Sequence, residues 1–235
     1  MSEKNEQIGV IVLSAGESSR MNGIKKEFYR LDSGKSVLET VLGAFSAVKS
    51  IEIIVVVIRE NEEKSALKAL PKDCLSLINR KIFLVTGGDS RRASVFNALS
   101  FLEARSPGYV LIHDGARPWV SPSLIERTIE VVKKYDAVIP LLPFIETPKE
   151  CDAPFIEDNR TVFIKTHLKR AQTGGAQTPQ AFRFSEILRA HEKAALAEGE
   201  QFTDDAEIWG RFCGKVAVIQ GEPENRKITF PEDLR

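Results

Sequence analysis

Cysteine is scarce: the 235 residues hold three, Cys74, Cys151 and Cys213, odd in number, far apart and without a C-x-x-C spacing. This argues against a disulfide framework and a cysteine-ligated metal site, and the three read as reduced packing residues. Charge of either sign is not in excess, since 33 Lys and Arg face 33 Asp and Glu. This balance argues against broad electrostatic capture of nucleic acid or anionic membrane and directs attention to local clusters. No apolar run approaches the roughly 20 residues that span a bilayer, and the polar start, Met1 to Gln7, has no signal-peptide core. The expectation is a cytoplasmic protein with no nucleic-acid and no membrane partner. Internal repeats, low-complexity tracts and linkers are absent as well, so residues 1–235 are expected to form a single domain, with 43% hydrophobic content to build its core.

What is present begins with Leu13-Ser14-Ala15-Gly16-Glu17-Ser18-Ser19-Arg20-Met21, followed by Lys25-Lys26. The apolar run Ile8 to Leu13 suits a central parallel strand, and the small-residue loop at its carboxyl end has the composition of an anion cradle. A tight turn with solvated basic residues is the alternative reading of the loop alone. Two known cradles are excluded by spacing. A P-loop needs Gly-x-x-x-x-Gly-Lys-Ser/Thr, but Gly16 and Gly23 are too far apart, and the three close glycines of a dinucleotide fingerprint are missing.

The rest of the chain alternates. Ser36 is placed to cap a helix running to Val48, and Ile51 to Ile58 reads as a second buried strand. A charged helix over about 61–70 precedes a strand at Ile82 to Val85, which ends in Thr86-Gly87-Gly88-Asp89-Ser90-Arg91-Arg92 and a helix to about Ala104. Tyr109 to His113 is a strand ending in Asp114-Gly115-Ala116-Arg117-Pro118, and Ser121-Pro122 starts a helix to about Lys134. Ala137 to Leu142 is a further strand. Residues 143–170 break the pattern with Pro143, Pro148 and Pro154 and read as an arm. Beyond it, helices are expected from a Ser185 cap to Gly199 and from a Thr203 cap to Phe212, then a strand at Val216 to Ile219. Such alternation implies an α/β fold of three layers with a mostly parallel sheet, in which three strands deliver polar loops to one edge.

Asp114, at the end of an apolar strand, is either a turn aspartate or a magnesium ligand; a hard carboxylate facing phosphates can complete octahedral coordination. His113 has no partner at zinc-ligand spacing and reads as a packing or turn residue. Arg20, Lys26 and the distant Lys227 are candidate phosphate partners. Nucleotidyl transfer needs such cations around the α-phosphoryl group and no covalent nucleophile, which fits the absence of a Ser-His-Asp or Cys-His constellation.

The motifs Ser-Ala-Gly-x-x-x-Arg-Met (14–21), Gly-Gly-Asp-Ser-Arg-Arg-Ala-Ser-Val (87–95), His-Asp-Gly-Ala-Arg-Pro (113–118), Gln-Thr-Pro-Gln-Ala-Phe (177–182), Thr-Asp-Asp-Ala (203–206) and Asn-Arg-Lys-Ile-Thr (225–229) occur in one order. Taken together from about Ile8 to Leu234, they resemble the 2-C-methyl-D-erythritol 4-phosphate cytidylyltransferase family. The resemblance implies a Rossmann-like nucleotidyltransferase fold with a protruding dimerisation arm, and Mg2+-dependent transfer of CMP from CTP to a sugar-alcohol phosphate in non-mevalonate isoprenoid biosynthesis. It implies that the loop of Ser14, Ala15 and Gly16 wraps the triphosphate, that Arg20, Lys26 and Lys227 are catalytic, and that Gly87, Gly88, Asp89 and Ser94 read cytosine. Asp114 would hold magnesium, Arg117 and Thr178 would lie on the substrate side, and Thr147 and Arg170 would reach the partner subunit's sugar phosphate in a homodimer. The chain departs from the family pattern at Ser14 and Ser18, where alanine and glycine are usual, at Lys25-Lys26-Glu27, where Pro-Lys-Gln is usual, and at Glu146 and Glu224, where aspartate is usual. If the backbone at Ser18 has positive φ, strain of about 1 kcal/mol is expected there. A ribitol-5-phosphate cytidylyltransferase and a non-catalytic nucleotide-binding regulator are the competing readings.

Overall fold

The first apolar run becomes a strand, β1 (Ile8–Leu13), buried along almost its whole length. A computed structural model describes residues 6–21, 23–70, 72–78, 80–154, 161–197 and 200–234. After β1 come α1 (Val37–Ser46), β2 (Ile51–Ile58), α2 (Glu63–Ala69), α3 (Lys72–Leu75), β3 (Ile82–Thr86), α4 (Arg91–Glu103), β4 (Tyr109–Asp114), α5 (Pro122–Tyr135) and β5 (Ala137–Pro143). The arm carries β6 (Lys149–Cys151) and β7 (Ile164–His167); then follow β8 (Gly174–Ala176), β9 (Gln180–Arg183), α6 (Phe184–Leu196), α7 (Asp205–Phe212) and β10 (Ala217–Gln220).

The main sheet runs β10-β5-β9-β4-β1-β2-β3, with β8 also on β5. β1 lies between β2 and β4 and is parallel to both, as β3 is to β2 and β10 to β5. β9 inserts antiparallel between β4 and β5, so the sheet is mostly parallel but mixed. Strand β9 lay outside the sequence reading because its four residues directly precede a helix. Helices cover both faces. Ile8, Val10 and Val12 of β1 pack in one cluster with Leu38, Leu42 and Phe45 of α1 and Leu124 and Ile125 of α5. Ile11, with Val55 and Val57 of β2, packs in the other with Val95 and Leu99 of α4 and Ile187 of α6. This is the period of two turned into three layers: alternate side chains of a central strand enter opposite cores, each fully buried one contributing about 1.5–3 kcal/mol.

Two helix starts follow the sequence closely. Ser36 and Glu39 close a capping box on α1, and the Ser121 hydroxyl accepts from Leu124 N at 2.9 Å with Pro122 at the first position of α5. Two others differ. Ser185 lies inside α6, whose flanking residue Arg183 makes no side-chain cap, because the turn from β9 leads straight into the helix. α6 ends at Leu196, and residues 198–199 of the expected helix lie outside the described residues. Asp204, not Thr203, caps α7, accepting from Glu207 N at 2.9 Å, while the backbone and hydroxyl of Thr203 donate to the Glu207 carboxylate at 2.7 and 2.9 Å.

The chain beyond β10 folds back over the carboxyl ends of the strands. Gly221 N donates to Leu141 O, Gln177 Nε2 to Glu222 O and Ile228 N to Ala116 O, each at 2.8 Å. Ile228 and Leu234 then join Met21, Leu31 and Val37 in a small apolar cluster, joining the tail to the segment after β1.

Candidate active site

The carboxyl ends of β1, β3 and β4 open into one cleft of about 660 Å³, lined among others by Ala15, Gly16, Lys26, Gly87, Gly88, Asp89, Ser94, Asp114 and Lys227. Parallel strands place all three loops on one edge, as the sequence pattern requires. The loops approach closely. A Cβ on Gly87 would stand 2.8 Å from both the Ala15 Cβ and the Ser94 Oγ, and one on Gly88 would stand 2.6 Å from the Ala93 Cβ. Only glycine lets the end of β3 lie against the β1 loop and the start of α4. Ser94 Oγ accepts from Gly88 N at 3.1 Å, and the Ser90 hydroxyl caps α4. Ser14 lies beneath this surface, fully buried, its backbone N–H given to Val57 O at 2.8 Å.

Asp114 is the centre of the polar network. Its Oδ2 lies 3.0 Å from Lys227 Nζ and 3.4 Å from Arg117 Nε. Burial alone would raise the carboxyl pKa, but Lys227, Arg91 and Arg117 outweigh it and hold the group well below the usual range. Its backbone N–H donates to Thr178 Oγ1 at 3.1 Å, and Thr178 Oγ1 lies 3.0 Å from His113 Nδ1. His113 Nε2 lies 3.1 Å from Arg117 O. A carbonyl only accepts, so Nε2 carries the proton and Nδ1 accepts from the threonine hydroxyl. Burial pushes His113 down to about 4, consistent with this neutral tautomer. His113 is thus a core histidine, edge-on to Phe45, that orients the residues around Asp114.

Lys227 comes from the far end of the sequence. Asn225 places it: its carbonyl accepts from Arg117 Nη1 at 2.8 Å, and its side-chain amide donates to Thr178 O at 2.8 Å. Arg117 and Thr178 therefore hold the tail and the Asp114 backbone in place. Lys26 is 9% exposed beside the buried Glu27. Burial lowers its pKa; Glu27 acts in the opposite sense, and the charges of Lys227 and Arg20 add to the lowering. Glu27 itself is pushed up by burial. Arg20 stands 5.6 Å from the Phe230 ring of the tail, outside the lining of the cleft. Thr147 and Arg170 belong to the arm and do not line the cleft either; Arg170 Nη1 donates to Ile145 O at 2.8 Å.

Arg59 was not singled out from sequence, and Lys25 and Arg91 were named there only as members of their motifs, with no role given. Arg91 lines the cleft and pairs at 2.7 Å with Asp205, a fully buried carboxylate that also meets His191 Nε2 at 3.1 Å. Burial penalises the Asp205 charge, yet the Arg91 and His191 partners bring its pKa below the ordinary value. Asp205 lies in the Thr-Asp-Asp-Ala motif, which was visible; that it meets a residue of α4 was not.

A mostly parallel three-layer sheet, two glycine-containing loops and lysines beside one strand-end aspartate define the class: an α/β nucleotidyltransferase. The sequence matches the family IspD, 2-C-methyl-D-erythritol 4-phosphate cytidylyltransferase, over residues 8–235. The chain belongs to this family. It is 36% identical over 234 residues to the 2-C-methyl-D-erythritol 4-phosphate cytidylyltransferase of Acidobacterium capsulatum, covering 97% of this chain and 94% of that one. It is 34% identical to the protein named bifunctional enzyme IspD/IspF of Brucella anthropi, over 97% of this chain and 54% of that protein; the chain spans about half the length of such relatives. The crystal structure of 4-diphosphocytidyl-2C-methyl-D-erythritol synthase from Anaerococcus prevotii superposes with a TM-score of 0.80 at 33% identity, covering 98% and 94% of the two chains. No helix among the described residues is long and apolar enough to cross a membrane.

Proposed function

We propose that the protein transfers CMP from CTP to 2-C-methyl-D-erythritol 4-phosphate, releasing pyrophosphate. The observation that carries this reading is the meeting of Lys26 and Lys227, from opposite ends of the chain, in one cleft with Asp114 and the two glycine loops. A phosphate oxygen of the acceptor attacks the α-phosphorus of CTP as the bond to the β-phosphate oxygen breaks. Negative charge then spreads over the α-phosphoryl oxygens and the leaving pyrophosphate; Lys26 and Lys227, which line the cleft, stabilise it, and Arg20, close enough to act on the Lys26 charge, would have to turn in to join them. Ala15 and Gly16 cradle the triphosphate, and Gly87, Gly88, Asp89 and Ser94 receive the cytosine.

The residues fit a magnesium ion held through one carboxylate. Asp114 is ionised and carries both its ion pairs on Oδ2. Among the described residues no group of three His, Cys, Asp or Glu could hold a metal by itself, so phosphate oxygens and water would supply the other ligands. When bound, Mg2+ supplies charge neutralisation on the triphosphate.

The acceptor side extends to a second subunit. Ile145, Phe163 and Ile164 of the arm are 83%, 73% and 52% exposed, an apolar set suited to burial against another copy of the chain. In a homodimer of this kind Thr147 and Arg170 reach the sugar phosphate bound by the partner subunit. The cytoplasm, with its CTP, is the compartment for this reaction.

The test is pyrophosphate release with Mg2+, crossing the four nucleoside triphosphates with methylerythritol phosphate and ribitol 5-phosphate. Release with CTP and methylerythritol phosphate is expected. Release with ribitol phosphate alone would overturn the acceptor, and CTP binding without release from any pair would overturn the activity.

A further inference from the structure

The loop after β1 is tied down at four consecutive residues, each by a side chain. Arg59 Nε donates to Ala15 O at 3.1 Å, and Lys25 Nζ donates to Gly16 O at 2.9 Å. Arg59 Nη2 pairs with Glu17 Oε1 at 3.1 Å, and the Ser18 hydroxyl reaches Glu27 Oε2 at 3.4 Å. The two cations are themselves anchored. Glu62 Oε2 stands 3.1 Å from Lys25 Nζ and 3.4 Å from Arg59 N, and Glu27 Oε2 lies 3.9 Å from Lys25 Nζ. Lys25, Glu27 and Ser18, three of the positions at which this chain departs from the family pattern, therefore act on one another in space.

The direction of these bonds matters. A trans peptide holds the carbonyl of one residue and the N–H of the next pointing opposite ways. With Ala15 O turned to Arg59 and Gly16 O turned to Lys25, the N–H groups of Gly16 and Glu17 are turned away from those cations. Both residues line the cleft, and none of the described residues accepts a hydrogen bond from either N–H. Successive N–H groups left without a protein acceptor in such a loop are suited to forming a nest for an anion.

Building on the proposed CTP chemistry, we propose that Lys25 and Arg59, anchored by Glu62, are positioning residues that preset the peptide planes of residues 15–17, so that the Gly16 and Glu17 N–H groups meet the triphosphate without rearrangement. Binding then avoids the cost of ordering the loop. Lys25 does not line the cleft, so its effect is exerted through the loop and not by touching phosphate.

The experiment measures binding of CTP and of cytidine to the full chain by calorimetry, which reads the loop whether or not turnover is present. Lys25→Met is expected to weaken CTP about tenfold and cytidine less than about twofold, with Lys25→Arg restoring most of the loss. Glu62→Ala separates positioning from charge. Removing an acid near the site would tighten CTP if only electrostatics mattered; positioning predicts weakening by about threefold or more. Circular dichroism and thermal melts identify any variant that fails to fold, in which case Lys25→Gln and Glu62→Gln are read instead. Unchanged CTP affinity in Lys25→Met, tighter CTP in Glu62→Ala, or equal losses for CTP and cytidine would each overturn the proposal. Failure of the activity itself shows separately, as absence of pyrophosphate release from the unaltered protein.

Discussion

The cleft and the arm are built in opposite ways. Around Asp114, His113, Thr178, Arg117 and Asn225 form a closed chain of hydrogen bonds, and Asp114 and His113 themselves end a strand of the central sheet. The arm is a two-stranded hairpin, β6 on β7, with all four β7 residues exposed and its Lys165–Glu150 pair open to solvent. A pair of strands this short is marginal by itself in water. The contrast teaches that the cleft is held together within one chain, whereas the arm leaves apolar side chains uncovered; under the proposed function the first would bind nucleotide and the second would need another copy of the chain.

The largest effect should separate the two regions most sharply. Lys26→Ala and Lys227→Ala should each lower kcat by about 10²–10³, the range for losing one donor to a developing oxyanion, with circular dichroism unchanged. A loss of less than about threefold in both, measured by pyrophosphate release, would remove the cleft's claim to the chemistry. Next in size is the pH dependence of the cleft. His113 titrates near 4 when folded against about 6.5 when unfolded, so below 6.5 the unfolded chain takes up a proton that the folded one refuses. Its contribution is present above pH 6.5 and lost as pH falls towards 4, on the order of 3 kcal/mol in all. Urea midpoints between pH 7 and 4 should record this fall, and His113→Gln should flatten it; an equal slope in both proteins would place the titration elsewhere.

The arm gives the converse test. If the chain dimerises as proposed, Ile145→Asp with Phe163→Asp should shift sedimentation from dimer to monomer and raise KM for methylerythritol phosphate about tenfold or more, leaving KM for CTP within about twofold. A dimer that survives with unchanged kinetics would break the comparison. The smallest effect is expected at Ser18, whose φ of 51° places a serine in the left-handed region. Ser18→Gly should stabilise by about 1 kcal/mol, raising Tm by about 2–4 °C in a domain of this size. A lower Tm would mean that the Glu27 hydrogen bond outweighs the strain.

Legibility followed the range of the interaction. Strands β1 to β5 and β10, α1 and α5 with their caps, and the glycine loops depend on neighbours a few positions away, and they stand where periodicity and cap residues placed them, whereas β6 to β9 were not read from sequence. The starts of α6 and α7 were misread, because Ser185 and Thr203 are good cap residues in isolation while β9 and Asp204 set the turns in the folded chain. Asp114 was recognisable at its strand end. Lys25 and Glu27 were visible as departures, yet that they touch Ser18 and Glu62 could not be read from spacing. Arg91 and Asp205 are 114 positions apart, and no local pattern marks them as a pair.

By itself, then, the sequence determined the alternation of strands and helices, the edge at which the loops gather, and the family, because these rest on residue spacing and local backbone preference. The tertiary structure alone decided that the tail returns to set Lys227 against Asp114, that β9 lies antiparallel inside the sheet, and that Thr178 lies against His113 and fixes its tautomer. Each of these is a contact between distant segments, chosen by which buried polar groups can all find partners once the cores have packed.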